Sequence, residues 1–238
     1  MSLPLPGDPV RSRPTLFILG DSISIHYGPF LERMLAGRCI CDRKGSELLR
    51  AESLAAGEKD TLQRLAALES SSVAINGGDS ACVMAYLQSR CTPAPPAWSV
   101  LLLNCGLHDI RTDPQNSSRQ VEPAAYAENL NAILHLAALA SRRTVWLRTT
   151  PVSDSCHQQL NPEFHRFNAD VEHYNQIADR IMDQAGIPKI DLYTFTRALS
   201  ASPASLDSLY CDHVHFVEPV QRLQAAYIAG WLDAHSFA

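Results

Sequence analysis

Three residue types that together can carry acyl transfer lie far apart in this chain. Gly20-Asp21-Ser22 stands near one end and Asp212-His213-Val214-His215 near the other. A serine hydroxyl is a weak nucleophile until a neighbouring imidazole takes its proton. The imidazole in turn needs an acceptor on its second nitrogen, which fixes its tautomer and stabilises the imidazolium. An acid three residues before a histidine can curl back through one turn and accept from Nδ1, which leaves Nε2 to aim at a serine. This assigns Ser22 as candidate nucleophile, His215 as base and Asp212 as the acid that orients it. The same spacing also occurs as a plain surface hydrogen bond or a helix cap, so the pair alone does not decide. Gly78-Asp79-Ser80 is a second Gly-Asp-Ser. Ser22 is preferred because it follows the cleaner strand-like run and precedes a helix-like segment, Phe30–Leu35. Ser80 reads as a helix N-cap.

Elements must bring these residues together. Thr15–Leu19, Trp98–Leu103, Thr144–Leu147 and Ile187–Ile190 are short apolar runs without alternation. Such runs suit strands buried on both faces, as in a parallel sheet. Between them lie helical patterns. Pro123–Ser141 places Tyr126, Leu130, Ile133, Leu134 and Ala137 on one face, with Pro123 suited to the first turn. Phe167–Ala185 aligns Val171, Tyr174, Ile177, Ala178 and Ile181 and stops at Gly186. Val220–Leu232 is a last amphipathic helix. Alternating strands and helices predict an α/β fold, a three-layer α/β/α sandwich on a mainly parallel sheet of about five strands. Ligands of such sheets bind beyond the carboxyl ends of the strands. Gly20-Asp21-Ser22 and Gly106-Leu107-His108-Asp109 sit there, and Asp212–His215 comes just before the last helix. No repeat or low-complexity linker divides the chain, so residues 1–238 are expected to form one domain. Residues 1–14 are expected to be a flexible N-terminus. Residues 42–72, with a helix at Lys59–Leu68, are expected to be an insertion near the mouth of the site.

Composition narrows the function. Of 238 residues, 46% are hydrophobic and 19% charged, ordinary values for a globular chain that needs no staple to fold. The formal charge of −5, without a basic run, disfavours nucleic acid as a partner. No apolar stretch approaches the ~20 residues of a membrane span. The first residues lack the pattern of a secretory signal. The seven cysteines are scattered without a C-x-x-C pair, so reduced thiols and a cytoplasmic location are expected. Asp212, His213 and His215 look like a metal triplet, but neighbouring residues such as Asp212 and His213 usually diverge, and no metal or cofactor is expected. No G-x-G-x-x-G or G-x-x-x-x-G-K-[ST] loop is present to hold a nucleotide. His135, His157, His165 and His173 show no partner logic.

Four ordered blocks then carry a resemblance. Gly20-Asp21-Ser22 behind a strand, a glycine in an Asn-containing turn (Asn76-Gly77-Gly78-Asp79-Ser80), Gly106-Leu107-His108-Asp109, and Asp212-x-x-His215 together resemble the GDSL or SGNH hydrolase family. The likeness runs from Leu16 to Leu232. It departs at two places: Ile23 stands for leucine, and His108 replaces the asparagine of G-x-N-D. The resemblance implies a flavodoxin-like sandwich that cleaves acyl esters through a serine, a histidine and an acid. It also implies an oxyanion hole formed by the backbone N–H of Ser22, the backbone N–H of Gly78 and a side-chain donor at His108. An imidazole donates only in a suitable tautomer or when protonated, so the donor strength of His108 is expected to vary with pH. Asp109 or a nearby carbonyl could hold that tautomer. His26, one turn past Ser22, and Arg111 are candidate substrate contacts. Arg111 could take a carboxylate or phosphate, against the plainer reading of a surface ion pair. The expected substrate is a small acyl ester, by resemblance a short-chain or acetyl ester on a carbohydrate. A thioesterase or lysophospholipase, acyl transfer to an alcohol, and a non-catalytic carbohydrate-binding module are the rivals. Oligomeric state is not readable.

Overall fold

The computed structural model describes residues 13–46, 74–161, 163–200 and 203–236. Its sheet is built from the chain's most continuous apolar runs. Strands β1 (Thr15–Leu19), β3 (Val100–Leu103) and β4 (Thr144–Leu147) are buried almost throughout, as strands covered on both faces must be. Two shorter strands complete the sheet: β2 (Ile40–Arg43) at one edge and β5 (Lys189–Ile190) at the other. The order is β2-β1-β3-β4-β5 and every pairing is parallel. The expected three-layer fold is therefore present.

Seven helices are described: α1 (Ser22–Met34), α2 (Ser80–Arg90), α3 (Pro123–Ala140), α4 (Asp154–Leu160), α5 (Asn168–Gln184), α6 (Leu192–Ala198) and α7 (Glu218–His235). A 3-10 turn spans Pro203–Leu209. Helix α1 packs on α7, which also meets α6, while α3 packs on both α2 and α5. The chain leaves β1 toward one edge and returns to β3 on its other side. The order thus reverses between β1 and β3, and the crevice beyond their carboxyl ends is where this topology places ligands.

Three expectations change. The stretch expected as an insertion from residue 42 begins inside β2, which holds Asp42 and Arg43. That edge strand is polar and half exposed, so no apolar run announces it. The expected N-terminal tail also stops short, because the carbonyl of Pro14 accepts from the N–H of Ile40. Trp98 joins the sheet only through an isolated bridge to Ser141, ahead of β3 proper. The helix expected at Lys59–Leu68 lies outside the described residues.

Candidate active site

Ser22 owes its position to a strand that ends and a helix that begins at once. After β1 the Asp21 carboxylate caps α1, with Oδ1 accepting from the N–H of Ile23 at 3.0 Å. Ser22 is the first helical residue. Its own N–H is one of the orphan donors of a helix start, and no acceptor faces it among the described residues. Buried Arg43 of β2 fastens the same turn: Nη1 donates to the carbonyl of Ser24 at 2.9 Å and Nη2 to its Oγ at 3.1 Å.

Across 193 residues of chain, His215 meets Ser22, with Nε2 2.8 Å from Oγ. The other ring nitrogen, Nδ1, is 2.6 Å from Asp212 Oδ2. Asp212 Oδ1 accepts from the N–H groups of Val214 and His215 at 2.8 and 2.7 Å. Burial pushes the Asp212 carboxyl up, but these hydrogen bonds outweigh it and hold the group well below the usual carboxylate range. An ionised carboxylate can only accept, so Nδ1 carries the proton and the Nε2 lone pair faces the Ser22 hydroxyl. His26 stacks on the His215 ring, with centroids 4.4 Å apart and planes 9° from parallel. Burial, then the nearby His215, lowers its pKa to about 4. His26 lines the neighbouring groove with Phe30 and Gln221 rather than the cleft that holds Ser22.

The second Gly-Asp-Ser repeats the local geometry without the partner. Asp79, not Ser80, is the N-cap of α2, and Ser80 is its first residue. Ser80 is fully buried; its N–H donates to both oxygens of Asp109, at 2.9 and 3.1 Å, and its Oγ accepts from Asn129 Nδ2 at 2.9 Å. Asp109 is thereby committed to Ser80 and does not orient His108.

Three donors were expected around the oxyanion, and their settings differ. The Gly78 N–H donates to Asn76 Oδ1 at 2.9 Å, so that amide is turned inward in this structure. Gly77 carries the close approach of this loop: its N–H donates to the carbonyl of Gly20 at 2.9 Å, and a Cβ there would lie 2.7 Å from that oxygen. His108 does line the cleft with Ser22 and Asn76. Burial, then the charges of Arg111 and Arg166, lower its pKa to about 3. It is therefore a neutral imidazole near pH 7, with one N–H to offer.

The cleft measures about 310 Å³. Arg111 lines it and lies on the ring of Phe164, with no carboxylate within 4.0 Å among the described residues, so the surface ion pair weighed from sequence does not form. Arg166 and Phe164 also line the cleft, and the sequence reading missed both. Their only signal was an arginine and an aromatic spaced i, i+2, which is too common to single out. Among the described residues no three His, Cys, Asp or Glu side chains converge as a metal set.

A family model described as GDSL-like Lipase/Acylhydrolase matches residues 16–228. The chain belongs to this family. As a GDSL-like acylhydrolase it is an ester-hydrolysing enzyme rather than a non-catalytic module. Solved structures share the fold at low identity. A lipase/acylhydrolase from Enterococcus faecalis is 15% identical, with a TM-score of 0.56 over 93% of this chain and 96% of that one. The acetylxylan esterase Axe2 from Geobacillus stearothermophilus is 14% identical, with a TM-score of 0.57 over 95% and 96%. The catalytic domain of a peptidoglycan O-acetyltransferase from Streptococcus pneumoniae is 13% identical, with a TM-score of 0.53 over 94% of each chain. No curated protein matches this GDSL-like chain in sequence. None of its described helices is long and apolar enough to cross a membrane.

Proposed function

We propose that this acylhydrolase cleaves short acyl esters, acetyl esters of carbohydrate above all, through Ser22, His215 and Asp212. The observation that carries the proposal is the relay of 2.8 Å from Ser22 Oγ to His215 Nε2 and 2.6 Å from His215 Nδ1 to Asp212. Ser22 attacks the ester carbonyl as His215 takes its proton. The resulting imidazolium lies against ionised Asp212. Negative charge grows on the carbonyl oxygen, where the Ser22 N–H and one N–H of neutral His108 stabilise it. A third donor at Gly78 requires its N–H to leave Asn76 Oδ1. His215 then returns its proton to the leaving alcohol, and water repeats the sequence to release the acid.

The lining supports the short-chain reading. Asn76, His108, Arg111, Asn161 and Arg166 face the cleft, and Phe164 and Val214 are the apolar side chains among its described lining residues. A long acyl chain would gain little from such walls, because burial is favourable in proportion to apolar area. Acetylxylan esterases among the structural neighbours fit the same substrate class. The test is a chain-length series of 4-nitrophenyl esters beside a panel of acetylated sugars, run with the parent and Ser22→Ala. Turnover should peak at the acetyl ester and fall at least ~10³-fold in Ser22→Ala. A parent that prefers palmitate, or a variant as fast as the parent, would defeat the proposal. Product analysis with added alcohol distinguishes hydrolysis from acyl transfer.

A further inference from the structure

The cleft concentrates positive charge in a protein whose formal charge is −5. Arg111 and Arg166 share one aromatic ring, with Cζ atoms 4.6 and 4.8 Å from the centroid of Phe164. Arg166 is 2% exposed. Its hydrogen bonds go to neutral partners: Nε donates to the carbonyl of Leu107 at 2.5 Å, and Nη1 lies 3.1 Å from His157 Nε2. The Arg111 Nε is buried with no partner. Among the described residues neither guanidinium has a carboxylate within ion-pair distance.

The acids nearby are already engaged. Asp79 accepts from Cys82 and Gln120, Asp21 caps α1, and Asp212 holds His215. Glu163 lies at the exposed rim of the same cleft and pairs with neither arginine. A guanidinium as buried as that of Arg166, with no carboxylate in ion-pair contact among the described residues, is costly for a fold to keep, and the charges of Asp21 and Asp212 offset that cost only from a distance. That cost is offset when an anion enters the cleft that both arginines line, since guanidinium matches the two oxygens of a carboxylate or phosphate. Each guanidinium lies over the Phe164 ring, a contact that restrains both side chains before a ligand arrives.

We propose that Arg111 and Arg166, held on Phe164, form an anion subsite beside Ser22, and that the substrate is an acyl ester bearing a carboxylate or phosphate near the scissile bond. This rests on the ester-cleaving role of Ser22 for its substrate but not for its ligand. The carboxylate-binding pair is a neutral and an anionic form of one ester. On the alcohol side these are methyl 4-acetoxybenzoate and 4-acetoxybenzoate; on the acyl side, phenyl methyl succinate and phenyl hydrogen succinate.

The parent should favour the anionic member of one pair by about tenfold or more in kcat/KM, a preference that weakens with salt. Arg111→Gln should collapse that preference by about tenfold, and Arg111→Lys should restore part of it. Thermal melts of both variants verify that they fold. Binding is read separately by calorimetry of the Ser22→Ala protein with 4-hydroxybenzoate and with inorganic phosphate. Salt-sensitive binding of either, weakened about tenfold by adding Arg111→Gln, supports the subsite even if no ester is cleaved, and the tighter probe assigns carboxylate or phosphate. Equal kcat/KM within both pairs, together with no binding of either anion, overturns the subsite while leaving ester cleavage intact. A loss in Arg111→Gln that is equal for neutral and anionic esters also overturns it, because the arginine would then serve the reaction and not the anion.

Discussion

Ser22 and Ser80 each occupy the first helical position behind a capping aspartate, and only their surroundings differ. Ser22 faces an imidazole, whereas Ser80 faces Asn129 and Asp109. Ser80→Ala should therefore keep ester turnover within about twofold while lowering stability by about 1 kcal/mol, read by urea unfolding. A loss of turnover like that of Ser22→Ala would contradict the assignment of the nucleophile. His108 invites a sharper test. Removing an oxyanion donor costs ~10²-fold in kcat, so His108→Ala should fall by about that much while His108→Asn, which keeps an N–H, retains much of the rate. With its pKa lowered to about 3, His108 does not change charge between pH 5 and 9. The ratio of parent to His108→Asn turnover should accordingly stay flat across that range. A ratio that is highest on the acid side and falls as pH rises through 6 would show that the imidazole titrates after all.

At the scale of elements, the site depends on how β2 grips the start of α1. Arg43 reaches from the edge strand, is 1% exposed, and binds both the carbonyl and the hydroxyl of Ser24. Burial lowers its pKa, to about 10, yet leaves it charged at neutral pH. Arg43→Leu would leave the buried Ser24 hydroxyl oxygen without its donor and the Ser24 carbonyl with only its helical partner, at about 1–3 kcal/mol at most. The expected outcome is a loss of stability of that order. Turnover should fall as well, because the first turn of α1 sets the Ser22 Oγ against His215. Turnover at parental level in a folded Arg43→Leu protein would separate β2 from the site. Neither the strand nor this role was legible in sequence. Ile40-Cys41-Asp42-Arg43 has two charges in four residues, and a buried arginine has no signature until its acceptors are placed. The central strands were legible because burial on both faces demands unbroken apolar runs, as in Val100–Leu103. The long helices α3, α5 and α7 were legible because each keeps one apolar face.

For the molecule as a whole, the relay was the more readable part of the site. Chemistry restricts which residue types can serve it, and the span from Ser22 to His215 is closed by a strand order that places both on one rim. Arg166 and Phe164 were unreadable because their meaning lies in a shared ring contact, which no spacing encodes. Asp109 stood out in sequence only as part of Gly106-Leu107-His108-Asp109, its bond with Ser80 was not legible there, and it links the core to pH. It is wholly buried where the β3 loop meets α2, and burial raises its pKa to about 7 despite the two bonds from Ser80. The unfolded group titrates near 3.8. A raised folded pKa contributes stability that is fully present below the unfolded value and lost as pH rises through the folded one. Between pH 4 and 7 this group should therefore lower stability by up to about 1.4 kcal/mol per pH unit. Asp212 works in the opposite sense, since its depressed pKa adds stability already present above about pH 4 and lost on acidification. Asp109→Asn keeps an oxygen for the Ser80 N–H and removes the titration. Urea unfolding at pH 5, 6, 7 and 8 should show the parent weakening with rising pH relative to Asp109→Asn, by on the order of 2–3 kcal/mol across the series. Parallel stability curves would mean that Asp109 is already ionised at pH 5, and that its two bonds from Ser80 outweigh its burial.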